Sequence, residues 1–208
     1  LARLDAALAE THIVGLHTNV AFLRRVVASR SFATAELDTA LIEREAAVLF
    51  KQPPLALEIA AAGVAAHALA DEQQLQDSDP WSRRDGFRLH GGAVRPFAIE
   101  HDGTHHAVKL PRLHDGALPL HLVDRHWALA TRPIGRDAYD VTLGALRLTL
   151  QVYVRGERVA VFAPQGHIVV HEIDAIAHAG EGAAESGSLT APMPGKVVAY
   201  LAKAGDKV

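Results

Sequence analysis

No cysteine occurs among the 208 residues, so disulfides, thiolate metal sites and a cysteine nucleophile are all excluded. A cysteine-free chain also fits a reducing compartment. There is no basic stripe: Arg and Lys are scattered and the net charge is −3 with neutral His, which argues against nucleic acid or an anionic membrane as partner. No run is apolar enough to span a bilayer. The longest, Leu55 to Ala70, contains Glu58 and His67 and falls short of the roughly 20 strongly apolar residues that a span needs. No glycine-rich phosphate loop appears, since Gly91-Gly92 is an isolated pair next to an expected strand. An initiator methionine is missing too, and both ends read as cuts, so no leader segment is legible. What is present is an ordinary globular composition, 49% apolar and 22% charged, at a length for one large domain or a medium domain with flanking pieces.

The pattern divides the chain into four regions. Residues 1–50 read as short helices. Leu1, Leu4, Ala7 and Leu8 recur at helical spacing, Thr18-Asn19 is an N-cap for a helix with Val20, Phe22, Leu23, Val26 and Val27, and Asp38-Thr39 opens a further one with Leu41 and Ile42. Pro53-Pro54 suits a first helical turn, and from Leu55 to about Leu75 the chain continues as one helix, apolar on nearly every face and mostly alanine. A helix apolar all round is buried all round, and a helix of alanines lets its neighbours come close.

From Gly86 to about Ile173 the period changes to two. Arg95, Phe97 and Ile99 alternate with Val94, Pro96, Ala98 and Glu100; Leu118, Leu120 and Leu122 alternate with Pro119, His121 and Val123; Leu146 to Val154 alternates throughout. Further strands are expected at Thr104–Leu110, His126–Arg132, Asp137–Leu143, Arg158–Phe162 and His167–Ile173. Asp102-Gly103, Asp115-Gly116, Gly156 and Gly166 stand at their junctions, and Asp-Gly at a junction favours a tight hairpin turn. Eight or nine short antiparallel strands following one apolar, small-residue helix pack most economically as a closed barrel around that helix: closure removes the edges and the helix fills a lumen that would otherwise be void. The fold class expected is α+β, mainly β, with a small helical N-terminal piece. Residues 176–188, rich in Gly, Ala, Glu and Ser, read as a soluble tether with little to bury. A new element begins at about Leu189.

The tail, Leu189-Thr190-Ala191-Pro192-Met193-Pro194-Gly195-Lys196-Val197 followed by Ala204-Gly205-Asp206-Lys207-Val208, resembles the opening of a biotinyl carrier domain. The head, His12-Ile13-Val14-Gly15-Leu16-His17-Thr18-Asn19-Val20-Ala21-Phe22-Leu23 and Phe32…Leu37-Asp38-Thr39-Ala40-Leu41-Ile42-Glu43, resembles the end of a biotin carboxylase domain. The segment between them is too short for the transferase domain of pyruvate carboxylases, and bacterial multi-subunit acetyl-CoA carboxylases put these parts on separate chains. The chain is therefore similar to the alpha subunits of the acyl-CoA carboxylases. Asp79-Pro80-Trp81-Ser82-Arg83-Arg84-Asp85-Gly86-Phe87-Arg88-Leu89 and the short linker look most like the 3-methylcrotonyl-CoA type, with propionyl-CoA and geranyl-CoA carboxylases as alternatives.

The resemblance implies four parts: a biotin carboxylase remnant at 1–50, an eight-stranded docking barrel of the BT type around its helix at 51–175, a linker at 176–188 and the start of the carrier domain at 189–208. It implies a parent ligase that carboxylates biotin with ATP, Mg²⁺ and bicarbonate and passes the carboxyl to an acyl-CoA on a carboxyltransferase beta subunit. For this chain it implies no catalysis. The ATP site would precede Leu1 and the biotinyl lysine would follow Val208, so Lys196, Lys203 and Lys207 are not that residue. The expected partners are the beta subunit and the parent's own carboxylase and carrier domains.

Docking residues are sought in the polar excursion from Asp71 to Asp85, because loops on rigid scaffolds commonly carry function. Trp81 is the anchor candidate with Arg83 and Arg84 beside it, since Trp and Arg dominate interface hot spots; the competing reading has Trp81 plugging the barrel mouth. The 13 His residues do not make a metal site on paper: His101, His105 and His106 flank one hairpin, and His167 and His171 share one strand, with no third ligand arranged. His114, Asp115 and Ser82 form a triad only by chance, because no nucleophile elbow supports them. Glu58, inside the apolar helix, must meet a strand arginine or lie at the barrel rim. A ligand-binding cup is disfavoured by the helix in the lumen, and a lipoyl carrier by the carboxylase-like head. The abundance of Ala, Arg and His points to a GC-rich bacterium, hence the cytoplasm, or the mitochondrial matrix if the source is eukaryotic.

Overall fold

A computed structural model describes residues 1–50, 55–84, 86, 88, 90, 92–113, 115–174 and 177–180. Contacts divide the chain into two units, Leu1–Ile173 and Asp174–Val208.

The first unit opens with short helices: α1 (Ala2–Ala9), α2 (Val20–Ala28), α3 (Arg30–Ala33), α4 (Leu41–Arg44) and α5 (Ala46–Leu49). Asn19 is the N-cap of α2, although its side chain makes no capping bond. Ser29 caps α3 by accepting from the Phe32 N–H. The piece is held by polar clasps as much as by apolar burial. Arg24 on α2 pairs with Asp5 on α1 at 2.9 Å, Ser31 donates to the Glu45 carboxylate, and the Phe22 and Phe50 rings stack at 5.3 Å.

Helix α6 (Leu57–Gln74) is buried along the unbroken run from Ile59 to Ala66. Ala56 ahead of it is extended, so the helix starts at Leu57 rather than Leu55. Pro53-Pro54, expected in its first turn, lie outside the described residues. Around it close β1 (Ala93–His101), β2 (Thr104–Arg112), β3 (Leu118–Leu122), β4 (Arg125–Pro133), β5 (Ala138–Leu143), β6 (Leu146–Arg155), β7 (Arg158–Ala163) and β8 (Gly166–Glu172). They form one closed eight-stranded barrel in sequence order, and the pairing Ile99–Glu172 and Glu100–His171 shuts it. One face of the alternation points inward: Ile99, Val108, Leu110, Leu120, Val141, Leu150, Val152 and Val170 join the alanines of α6 in a single core. At Gly63 the approach is closest, since an added Cβ would lie 2.9 Å from a Val161 methyl.

Polar groups within and at the ends of the lumen find partners. His67 Nδ1 and the Tyr139 hydroxyl are 2.9 Å apart, and burial pushes the Tyr139 pKa up. Glu58, on the first turn of α6, meets Arg125 at 3.5 Å, whose guanidinium lies 4.7 Å over the Trp127 ring. Both sequence options for Glu58 thus hold at once: an arginine partner and a rim position. At the other end Glu72 binds Arg112 at 2.9 Å and Arg95. On the outer wall Arg147 and Arg132 hold the Asp140 carboxyl at about 2 by hydrogen bonding to its ionised form.

An up-and-down barrel puts alternate hairpins at alternate ends. The end at the start of α6 carries 102–103, 123–124, 144–145 and 164–165. Three of these turns have positive φ at their first position, filled by Asp102, Gly144 and, unusually, Val123 with φ 54°. A β-branched residue there is strained by roughly 1–3 kcal/mol. Val123 is exposed, so replacing it removes no packing. Val123→Gly is expected to stabilise the fold by about 1 kcal/mol after the extra chain entropy of glycine is subtracted, read as a rise of a few degrees in melting temperature. A fall in melting temperature would contradict the strained turn.

In the second unit Asp174 accepts from the Ala177 N–H ahead of a 3-10 turn, Ala177–Gly180, so this part of the expected tether is locally ordered. The remainder of the tether and the carrier-like segment 189–208 lie outside the described residues. No helix among the described residues is long and apolar enough to cross a membrane.

Candidate functional site

The excursion between α6 and β1 leaves the barrel at the Glu72 end. Its root is fixed: Glu72 holds Arg112, and the Gly86 backbone, at φ +71°, lies so close to Arg112 that an added Cβ would be 2.9 Å from the Arg112 Cδ. No sequence signal marked Glu72, because its partners are 23 and 40 residues away.

The tip is a 3-10 turn, Pro80–Ser82, that caps itself. Asp79 accepts from the Trp81 N–H at 2.9 Å and Asp77 accepts from the Asp79 N–H at 2.7 Å. Ser82 Oγ donates to the Asp79 carbonyl at 2.7 Å and accepts from the Asp77 N–H at 2.9 Å. Pro80 takes the first position, where no N–H is needed. The Asp79 N–H bond, with the Ser82 hydroxyl second, lowers the Asp77 pKa.

The turn presents Trp81, which is 93% exposed. It therefore does not plug the barrel mouth. Arg83 and Arg84 follow it, both exposed. A ring of this size buries about 200 Å² when covered, worth on the order of 5 kcal/mol at 25 cal/mol per Å². A rigid turn that holds such a ring in water pre-orders it for a partner, because little chain entropy is left to lose on binding.

The other candidate residues are engaged in structure. Ser82 is committed to the turn, Asp115 accepts from the Ala117 N–H, and His114 lies outside the described residues, so Ser82 and Asp115 work in separate loops. His101 Nδ1 lies 3.2 Å from the Val169 carbonyl, His105 is 3.6 Å from Glu100, and His167 stacks on Phe162 at 5.2 Å. Among the described residues no group of three or more His, Cys, Asp or Glu could hold a metal ion.

A second feature is long-range and was not legible from periodicity. The N-terminal helices dock on the β7–β8 hairpin around a pocket of about 330 Å³ lined by His12, Arg24, Phe162 and His167 among others. His12 Nδ1 is 3.0 Å from the Tyr153 hydroxyl and its ring lies 4.5 Å from Phe162. Burial lowers the His12 pKa. Arg24 donates to the Pro164 carbonyl at 3.1 Å.

Comparison with known proteins bears on the barrel first. The family described as methylcrotonyl-CoA carboxylase, alpha-subunit, BT domain matches residues 54–175. A Dictyostelium discoideum protein named methylcrotonoyl-CoA carboxylase subunit alpha, mitochondrial, is 24% identical over 235 aligned positions, which cover all of this chain and 32% of that protein. The chain thus spans about a third of that relative's length. The family match takes in α6, the excursion and all eight strands, and more than half of the chain: the chain belongs to the methylcrotonyl-CoA carboxylase alpha-subunit BT-domain family.

Proposed function

We propose that this chain docks a biotin-carrying alpha subunit onto its carboxyltransferase beta subunit through the Trp81 turn, with Arg83 and Arg84 flanking the indole. The observation that carries this reading is the fully exposed Trp81 on a self-capped turn whose root is clasped by Glu72 and Arg112. The family and the alpha-subunit name of the relative support it. On this reading the parent is an ATP-dependent ligase that carboxylates biotin with bicarbonate and delivers the carboxyl to 3-methylcrotonyl-CoA in leucine degradation. Propionyl-CoA or geranyl-CoA is the substrate of the alternative.

The chain's division at 1–50, 51–175, 176–188 and 189–208 into carboxylase remnant, barrel, linker and carrier start belongs to the same proposal. Biotin, ATP and Mg²⁺ are assigned to the parent's other domains. Among the described residues the barrel lumen does not fit them: it is occupied by Ala60, Ala61, Ala62 and Val64, which leaves no room in it for a nucleotide or a biotin ring. No step of the reaction is placed on this chain, and its role is to hold two distant sites in one assembly. The compartment follows the host; the relative's name is mitochondrial, and nothing in the comparison favours the bacterial cytoplasm.

The test is co-purification of the intact alpha subunit with its beta subunit, before and after residues 76–84 are replaced by a Gly-Ser linker of equal length. The replaced subunit is expected to lose the complex while keeping biotin carboxylation. An undiminished complex would refute the reading.

A further inference from the structure

The outer wall of the barrel carries a run of rings where β6, β7 and β8 lie side by side. Val159 and Val161 of β7 belong to the core, so Phe162, next along the strand, points out. It stands opposite His167 of β8, and the two rings stack at 5.2 Å. Tyr153 of β6 meets Phe162 edge-on at 5.8 Å. His12 lies over Phe162 at 4.5 Å and 3.0 Å from the Tyr153 hydroxyl. Rings on the solvent side of a barrel add nothing to its core. Phe162, His167 and His12 instead line the pocket of about 330 Å³. A concave site of about this size, with apolar walls and a few convergent polar groups, is the ordinary form of a small-molecule site.

Helix α2 lines the same pocket. Ala21, Arg24, Arg25 and Ala28 recur at helical spacing and all reach it. The two alanines leave room for a flat group, and the arginines bring charge. Asp5 matches Arg24 at 2.9 Å, and Arg24 also donates to the Pro164 carbonyl. Arg25 is different. It is half-buried, it donates its Nε to the Leu49 carbonyl, and among the described residues it pairs with no carboxylate. A charge held partly out of water with neutral partners alone is poorly compensated. A guanidinium has five N–H donors, and the bond to Leu49 uses one of them. The start of α2 adds a field of the same sign. Thr18, Val20 and Ala21 bring its first turn to the pocket. That turn holds no acid, and Asn19 makes no side-chain cap, so its N–H groups favour an anion. Glu10, near enough to His12 to act on its charge, is exposed and lies outside the lining.

We propose that this pocket binds a small planar carboxylate, its ring against Phe162 and its carboxylate on Arg25 and the first turn of α2. Such a ligand bridges the N-terminal helices and the β7–β8 hairpin, which His12 and Arg24 already clasp together. The site is independent of the docking reading.

The probe is 2-naphthoate, with 2-naphthamide as a neutral ring of similar shape, each titrated calorimetrically into the intact alpha subunit. Naphthoate is expected to bind, and naphthamide to bind about tenfold or more weaker, the difference that one charge-assisted contact commonly makes. Arg25→Gln is expected to erase that preference and leave naphthamide binding as it was. Arg25→Lys keeps the charge and is expected to retain most of the preference. Phe162→Leu is expected to weaken both probes. Melting temperatures check that each variant folds; should Arg25→Gln loosen the N-terminal helices, Phe162→Leu still carries the test from the barrel side. A naphthoate Kd weaker than about 1 mM, or equal affinity for the two probes, would overturn the proposal. So would naphthoate binding that Arg25→Gln or Phe162→Leu leaves unchanged in a folded subunit, because the anion then sits elsewhere.

Discussion

Trp81→Ala in the intact alpha subunit is expected to weaken its complex with the beta subunit by about 2 kcal/mol or more, roughly 30-fold in Kd, while leaving its melting temperature unchanged. Both halves follow from one observation. Trp81 is 93% exposed, so in the free subunit it has almost no packing to lose, and substitution at such a site usually falls within about 0.5 kcal/mol. The turn that carries its indole is nevertheless held by the Trp81 N–H donating to the Asp79 carboxylate, a bond that an alanine at 81 would keep because it comes from the main chain. The variant thus deletes the ring and preserves the turn. Central interface tryptophans commonly cost at least 2 kcal/mol on truncation. Retained affinity would show that the indole is incidental; lost affinity together with a lowered melting temperature would show that the ring supports the fold.

How much of this was legible follows from which interactions are local. Alternation from Leu146 to Val154 is a property of one strand, and its apolar set is buried at Leu148, Leu150 and Val152 and exposed at the two ends, Leu146 and Val154. Asp102-Gly103 is a local turn that the sequence suggested, and both residues have the positive φ of a tight hairpin. The all-round apolarity of α6 implied complete burial, and the run Ile59–Ala66 is buried. Contacts across many residues left no such trace. His12 meets Tyr153 across 141 positions, and the barrel closes on two pairs between β1 and β8, neither of which has a periodicity to read.

Trp81 lies between these cases. A lone aromatic serves core or interface equally well by composition, and that is why both readings stood open. Yet a local signal was present: Asp77, Asp79, Pro80 and Ser82 have the spacing of a self-capped turn, and a turn that satisfies its own backbone does not need the aromatic as a plug.

The barrel itself makes the other large prediction. Eight strands enclose room for little more than their own side chains or one small ligand, whereas a helix with ordinary side chains is 10–12 Å across. The two are compatible because α6 offers Ala60, Ala61, Ala62 and Gly63 where the wall is nearest. There is no slack: a methyl on Gly63 would already crowd Val161 and Val152. Ala62, 1% exposed, has no exit to solvent for a larger side chain, and a hydrogen-bonded ring cannot widen at one level without breaking pairs at another. Ala62→Phe is therefore expected to cost about 3 kcal/mol or more, the upper end of overpacking, and to lower the melting temperature by about 10 °C. Ala62→Gly separates volume from helix propensity, since it costs about 1 kcal/mol without adding bulk. If the phenylalanine variant melted no lower than the glycine variant, the helix could not lie in the lumen. If it melts far lower, the alanines of α6 are required by the width of the barrel.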